Sequence, residues 1–329
     1  MAHCTNAPPA VPSDSGVAGV GVLLSFIITA IIALTISASL VFQEARGRGS
    51  ARKPSILRRK LLNAYSDQQI LTGIGIQSVG LAKMDSITPY HFFIIWMLSL
   101  LSMAVHNASL LALVHDFRRD WVLRWLRQFL IFVNLVLSSL YGIFILEAVR
   151  DGINDSTFPI ACVWRETDGT GHASTGISAL SYVGTIVVIA GNAVVFVLDA
   201  WYLHSRAQRF YKTVQIVGLL LMTAIAFGAI VRVSLLADAF GGNHPVSLSD
   251  GGERQWSFGQ LLSIGMLLLP VVSIIEIVRG EIKCAPPVPD AGEDKAMLLG
   301  ENELQPNPQD RASFQPNPFF GSQTNLFRK

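Results

Sequence analysis

Charge is scarce in this chain, cysteine scarcer, and no lysine or arginine precedes Arg46. Charged residues make up 15% of the 329, against ~25% in a typical soluble domain, which argues against a water-soluble globule. The three cysteines, Cys4, Cys162 and Cys284, are not placed with histidines at any metal-site spacing, so no metal is expected. No basic n-region and no signal-peptidase site accompany the first apolar run, which is also too long for a cleaved h-region. It is therefore expected to stay as the first membrane helix. The net charge of +2 says little, because the charges are segregated by position.

Long apolar runs are what the chain does have. Seven stretches, 17–42, 68–82, 90–114, 128–149, 177–201, 213–238 and 257–278, alternate with polar loops. A hydrocarbon core ~30 Å thick asks ~20 apolar residues of a helix; six stretches reach that length and the second falls short. The expected fold is all-α, a seven-transmembrane-helix bundle. It divides into an N-terminal tail (1–16), a helical domain (17–284) and a Pro-rich, polar, disordered tail (285–329). That tail repeats Gln-Pro-Asn-Pro at 305–308 and 315–318.

Basic residues set the expected orientation. Arg46, Arg48, Arg52, Lys53, Arg58, Arg59 and Lys60 crowd the first loop; Arg118, Arg119, Arg124 and Arg127 follow the third run; Arg206, Arg209 and Lys212 follow the fifth. The alternate loops carry only Lys83, Arg150, Arg165 and Arg254. The positive-inside rule then puts the N-terminus in the lumen and the C-terminus in the cytosol of an endomembrane such as the endoplasmic reticulum. Tyr90, Trp121, Trp125, Trp201, Tyr202 and Trp256 fall where helices would meet the interface. On the lumenal side Asn154-Asp155-Ser156 is a glycosylation sequon, and Cys4 and Cys162 either pair or remain free thiols. Cys284, beyond the last run, is open to palmitoylation.

Any chemistry must come from polar groups inside or at the ends of the runs, where facing lipid is costly. The first run carries no ionisable group between Val17 and Phe42 and reads as a packing helix. The second is rich in small and polar residues (Gln68, Gln69, Thr72, Gly73, Gly75, Gln77, Ser78, Gly80), the composition of an internal helix. Sorted by depth, Asp85, His91, Glu147, Arg150, Arg232 and Asp238 fall near the lumenal side. Asp67, His106, His115, Asp116, Asp199, His204 and Glu276 fall near the cytosolic side, with Asn134 and Asn192 deeper. Arg232, about two turns inside the sixth helix, is expected to be buried and to need a carboxylate, for which Glu147 is a candidate across the bundle. The lumenal set is then either an ion-pair network that pins helices, with Asp238 and Asp85 solvated at its rim, or a pocket. Asp67 is expected to cap the second helix, and His106 to hydrogen-bond between helices.

The run Tyr65-Ser66-Asp67-Gln68-Gln69-Ile70-Leu71-Thr72-Gly73, followed by Tyr90-His91-Phe92 and His106, resembles a family of fungal multi-span membrane proteins. The likeness covers about a quarter of the chain. Relatives of similar size and topology include the membrane-bound terpene cyclases of ascofuranone-type meroterpenoid biosynthesis. The resemblance implies acid-promoted opening of a terminal epoxide on a lipophilic prenylated aromatic substrate, followed by attack of an internal hydroxyl to close a cyclic ether. It implies no cofactor and no nucleic-acid partner. The residues for these roles follow from physics, not from the family: Glu147 as the acid, His91 or Asp85 as proton acceptor, and Arg232 as electrostatic support, with His106 and Asp67 supporting. If Arg232 pairs tightly with Glu147, Asp238 or Asp85 becomes the better acid. The Asp-rich DDxxD motif of metal-dependent soluble terpene cyclases does not occur.

The rival expectation is a seven-helix receptor or scaffold without catalytic activity. No lysine in the seventh run could hold a retinal Schiff base. His115-Asp116-Phe117-Arg118 does not reproduce the acidic-Arg-aromatic triplet of G-protein-coupled receptors, and no Asn-Pro pair follows in the last run. No inverted repeat suggests a transporter. A cyclase requires an apolar cavity with a carboxyl group at one end and access from lipid; a receptor requires a mouth open to the lumen.

Overall fold

The computed structural model describes residues 4, 8–46, 56–114, 117, 121–150, 157–162, 177–204, 210–241 and 248–279. The chain divides after Pro287, and all of these residues belong to the first unit. The expected disordered tail, the Asn154 sequon and Cys284 lie outside the described residues.

Among the described residues eight α-helices form: α1 (Val20–Arg46), α2 (Ile56–Ala82), α3 (Pro89–Ala112), α4 (Trp121–Arg150), α5 (Ile177–His204), α6 (Tyr211–Leu236), α7 (Phe258–Met266) and α8 (Leu269–Val278), with short 3-10 helices at Ile160–Cys162 and Asp238–Phe240. Among the described residues no β-strand forms, and Val11 and Leu248 make an isolated bridge. Six segments are long and apolar enough to cross a membrane: α1, α3, α4, α5, α6 and the α7–α8 pair taken together. The protein is a helical, multi-pass membrane protein.

Helix α3 is the axis. Its neighbours α1, α2, α4, α5 and α6 all pack on it, and they also pack on one another in that order around a closed ring. Phe93 is the one residue of α3 that is not buried. Such a helix must be apolar or hydrogen-bonded on every side, and its Ser99, Ser102, His106, Asn107 and Ser109 all make hydrogen bonds. The α7–α8 pair stands outside the ring, α7 against α1 and α8 against α2. Close approach of α7 requires Gly21, where an added Cβ would sit 2.6 Å from the Gln260 backbone oxygen. The last run is therefore one segment in two helices. It breaks at Leu267 and Leu268, where the Pro270 ring and missing N–H prevent continuous helical bonding.

Helix α2 is longer than the apolar run it contains and is not among those six segments. It extends 27 residues, because Arg58, Arg59, Lys60, Asn63 and Asp67 interrupt apolarity without interrupting the helix. Its buried face, Leu62, Tyr65, Ser66, Gln69, Ile70, Gly73, Ile76, Gln77 and Gly80, repeats at helical spacing. That face mixes apolar Leu62, Tyr65, Ile70 and Ile76 with polar or small Ser66, Gln69, Gly73, Gln77 and Gly80, whereas Leu71 and Val79 on the other side are exposed. The polar members of the buried face hydrogen-bond to neighbouring helices.

Candidate functional site

Among the described residues, buried polar groups stand out in three places. The first closes the end of the bundle where α1, α3 and α7 begin. Glu253, in the segment before α7, is fully buried and accepts from the Tyr90 hydroxyl (3.1 Å) and from His91 Nε2 (2.7 Å). His91 Nδ1 lies 3.0 Å from the Thr88 hydroxyl; a neutral ring with its proton on Nε2 satisfies both bonds. The Tyr90 oxygen also accepts from the Asp238 N–H (3.0 Å), and Arg254 donates to the Asp238 carboxylate (2.7 Å) and carbonyl (3.0 Å). Around this network, Ile160 N–H bonds the Ile87 carbonyl, Lys83 pairs with Asp14, and Cys4 is disulfide-bonded to Cys162. The open question of the two cysteines is thus answered by a bond between them.

The second constellation joins α2, α3 and α4 in mid-bundle. Gln77 donates to Asn134 Oδ1 (2.5 Å) and to the Gly73 carbonyl (2.9 Å); Ser102 donates to the Gln69 carbonyl (3.0 Å) and lies 2.9 Å from His106 Nε2. Ser66 meets Ser109, Ser99 meets Ser138, and Tyr141 donates to the Gln77 carbonyl. Every one of these side chains is buried. His106 therefore acts within its own helix through Ser102, which in turn ties α3 to α2.

The third is a single carboxyl group. Asp199, five residues before the end of α5, is 2% exposed, and neither of its oxygens has a hydrogen-bond partner among the described residues. It lines a cavity of about 240 Å³ between α5 and α6, floored by Leu111 of α3. Apart from Thr213, the other lining residues are apolar, among them Val194, Val195, Leu198, Val217 and Leu221. Val194 and Val217 are also exposed on the outer surface of the bundle, so the cavity opens sideways, towards lipid. A carboxylate buried in apolar surroundings costs several kcal/mol unless a proton or a hydrogen-bonding ligand offsets the loss of water.

A further cavity, of about 250 Å³, lies between α1 and α2 beneath Ser263 of α7. Its α2 wall comprises Gln68, Gln69, Thr72, Gly75, Ile76 and Val79. Of the run 65–73, Gln68, Gln69 and Thr72 line it.

The expected site residues are dispersed. His91 and Asp238 meet in the closing network; Asp238 is buried against Arg254 and is not solvated at a rim. Asp85 is exposed on the turn between α2 and α3, and Glu147 is half-buried in the last turn of α4. The expected Arg232–Glu147 pair does not form. Arg232 is exposed on α6, and α3 stands between α4 and α6. Asp67 is no cap: α2 begins eleven residues earlier, and Asp67 pairs there with the largely buried Arg127 of α4. Arg127 also bonds Asn63 and covers the Phe117 ring at 4.6 Å. Tyr90, expected at the interface, is buried through its bond to Glu253. Glu253 was not foreseen, since a Gly-Gly-Glu-Arg loop reads as solvated. Asp199 was recognised only as one of several ionisable groups near a helix end.

No family model, no characterised protein and no solved structure matches this chain.

Proposed function

We propose that this protein is a membrane-bound, cofactor-independent cyclase of a fungal meroterpenoid pathway, and that Asp199, rather than Glu147, is its acid. The observation that carries the reading is the Asp199 carboxyl, without a hydrogen-bond partner among the described residues, at one end of an apolar cavity that opens sideways between α5 and α6. A prenylated aromatic substrate would enter from the bilayer. The Asp199 carboxyl would give its proton to the epoxide oxygen as the carbon–oxygen bond opens, an effect of ~10²–10⁴-fold for a positioned acid. The internal hydroxyl would bond to the carbon released, and its proton would restore the carboxyl, so product and substrate are isomers. Apolar walls would keep out the water that otherwise competes for the opened epoxide. His91 and Asp238 are engaged in the closing network and line neither cavity. We assign them, with Asp85 and Glu147, no part in the reaction.

Topology belongs to the same proposal. Counting α2 as a span and α7–α8 as one gives seven crossings, with the N-terminal segment and the Cys4–Cys162 disulfide on one side. A disulfide favours the oxidising lumen, which agrees with the positive-inside reading and with an endomembrane location.

The test uses microsomes from a fungal host expressing the chain, supplied with a farnesylated phenol epoxide and no cofactor. Mass spectrometry should find an isomer of unchanged mass, reduced at least ~100-fold in Asp199→Asn and retained in Glu147→Gln. Retention of full activity in Asp199→Asn would refute the assignment of the acid, and no isomer from the parent protein would refute the cyclase. The same carboxyl suits one second reading, a receptor whose ligand carries an ammonium group on an apolar body. Saturable binding of such an amine, lost in Asp199→Asn, with no isomer formed, would favour it.

A further inference from the structure

The cavity between α1 and α2 has a hydrogen-bonding character that its residue types alone do not reveal. Four hydroxyls line it, and each already donates its proton to a carbonyl of its own helix: Ser25 to Val22, Thr29 to Ser25, Thr72 to Gln68 and Ser263 to Gly259. What these hydroxyls retain are lone pairs. Gln69 is 2% exposed, and its amide nitrogen donates to the Phe26 carbonyl (3.3 Å). That bond fixes which way the amide points, and its oxygen is left buried without a partner. The Gln68 oxygen is likewise buried and unpartnered. The protons left to give are those of the Gln68 amide nitrogen and the second one of Gln69 Nε2, so acceptors outnumber donors in the lining. None of the lining residues is charged, and a cation would find no countercharge. Phe26, Ile76 and Val79 supply apolar walls, and Val79 is exposed at the lipid-facing surface of the bundle.

We propose that this cavity binds a neutral, lipid-soluble molecule through a hydroxyl group, an alcohol or a phenol on an apolar body, which donates to Gln69 Oε1. The inference does not depend on the cyclase reading: a sterol of the membrane and a prenylated phenol carry the same recognisable group.

The test uses the full chain in phosphatidylcholine nanodiscs with four photoreactive diazirine probes: a farnesylphenol, a sterol, and the methyl ether of each. Peptide mapping by mass spectrometry should place hydroxyl-probe labelling on residues 22–29 and 68–79. Labelling should fall about tenfold for the corresponding ether and about tenfold in Gln69→Leu. Thr72→Val, which removes an acceptor from a less buried position, should lower labelling severalfold and guards against a folding defect in Gln69→Leu. Labelling should be unchanged in Asp199→Asn, which separates this site from the proposed reaction. Labelling by either hydroxyl probe upholds the proposal, and the stronger of the two identifies the source. Ethers that label as strongly as hydroxyls would overturn it, leaving only a groove for lipid tails. So would Gln69→Leu and Thr72→Val proteins that label like the parent.

Discussion

The His91–Glu253 pair offers a quantitative test of the closing network. Both residues are essentially removed from solvent, and they join α3 to the segment before α7, 162 positions apart. Glu253→Leu removes an acceptor that serves two donors, His91 Nε2 and the Tyr90 hydroxyl. Each buried donor left without a partner costs about 1–3 kcal/mol, so the substitution should destabilise by about 2–6 kcal/mol. His91→Leu leaves the carboxylate with one of its two donors and the Thr88 hydroxyl without the His91 Nδ1 acceptor, each loss costing about 1–3 kcal/mol. In the double variant neither orphan of the pair remains, and what is left is the loss of the partners that Glu253 and His91 gave to the Tyr90 and Thr88 hydroxyls. The double variant should therefore be less destabilised than the sum of the single ones by about 2–3 kcal/mol. Denaturant unfolding of the purified protein in mixed micelles, followed by tryptophan fluorescence, would measure all four corners of the cycle. Single effects below about 0.5 kcal/mol that simply add would refute the reasoning and mean that the pair is solvated.

Two further outcomes follow from the same geometry. Cys162→Ser opens a loop of 158 residues, and loop-closure entropy puts the loss at about 5 kcal/mol, near the upper end for a native disulfide; thermal unfolding of the parent with and without reductant should reproduce that loss, and no difference would refute it. Gly21→Ala should cost about 1–3 kcal/mol by driving a methyl group into the Gln260 backbone, whereas Gly75→Ala, where nothing lies within 4 Å, should be neutral or stabilise by up to about 1 kcal/mol. Equal effects at the two glycines, read in the same unfolding assay, would mean that α7 does not approach α1 as closely as described.

Much of the helical order is legible from runs of apolar residues, because a bilayer leaves helices and closed barrels as the only ways to satisfy backbone groups. Helix α2 shows where that reading stops. Its polar stripe announces an internal face, and Ser66, Gln69, Gly73 and Gln77 do pack against α3 and α4. Its first turns, however, carry Arg58, Arg59 and Lys60, which a search for apolarity assigns to a loop. Arg58 bonds Ser39 and Gln43 of α1, and Arg127 of α4 reaches Asp67. Neighbouring helices thus hold charges that the one-dimensional pattern treats as breaks.

The site was less legible, for a different reason. Depth along a helix follows from sequence, but direction around it depends on which neighbour stands where. Glu147 and Arg232 share a depth, yet the central position of α3 keeps them apart. Tyr90 and Asp238, also at that end, bond directly and are held by Glu253 and Arg254, two residues of a loop with nothing in its composition to mark it as buried. Asp199 is the converse. Its depth near a helix end suggests a solvated or paired carboxylate, and only the packing of α5, α6 and Leu111 of α3 turns it towards an apolar cavity without a partner. A carboxyl group that the fold has paired stabilises that fold; one that the fold encloses and leaves unpaired destabilises it. The second arrangement persists where binding or chemistry gives a reason to keep it, which is why Asp199, among all the ionisable groups of this protein, is the one to substitute first.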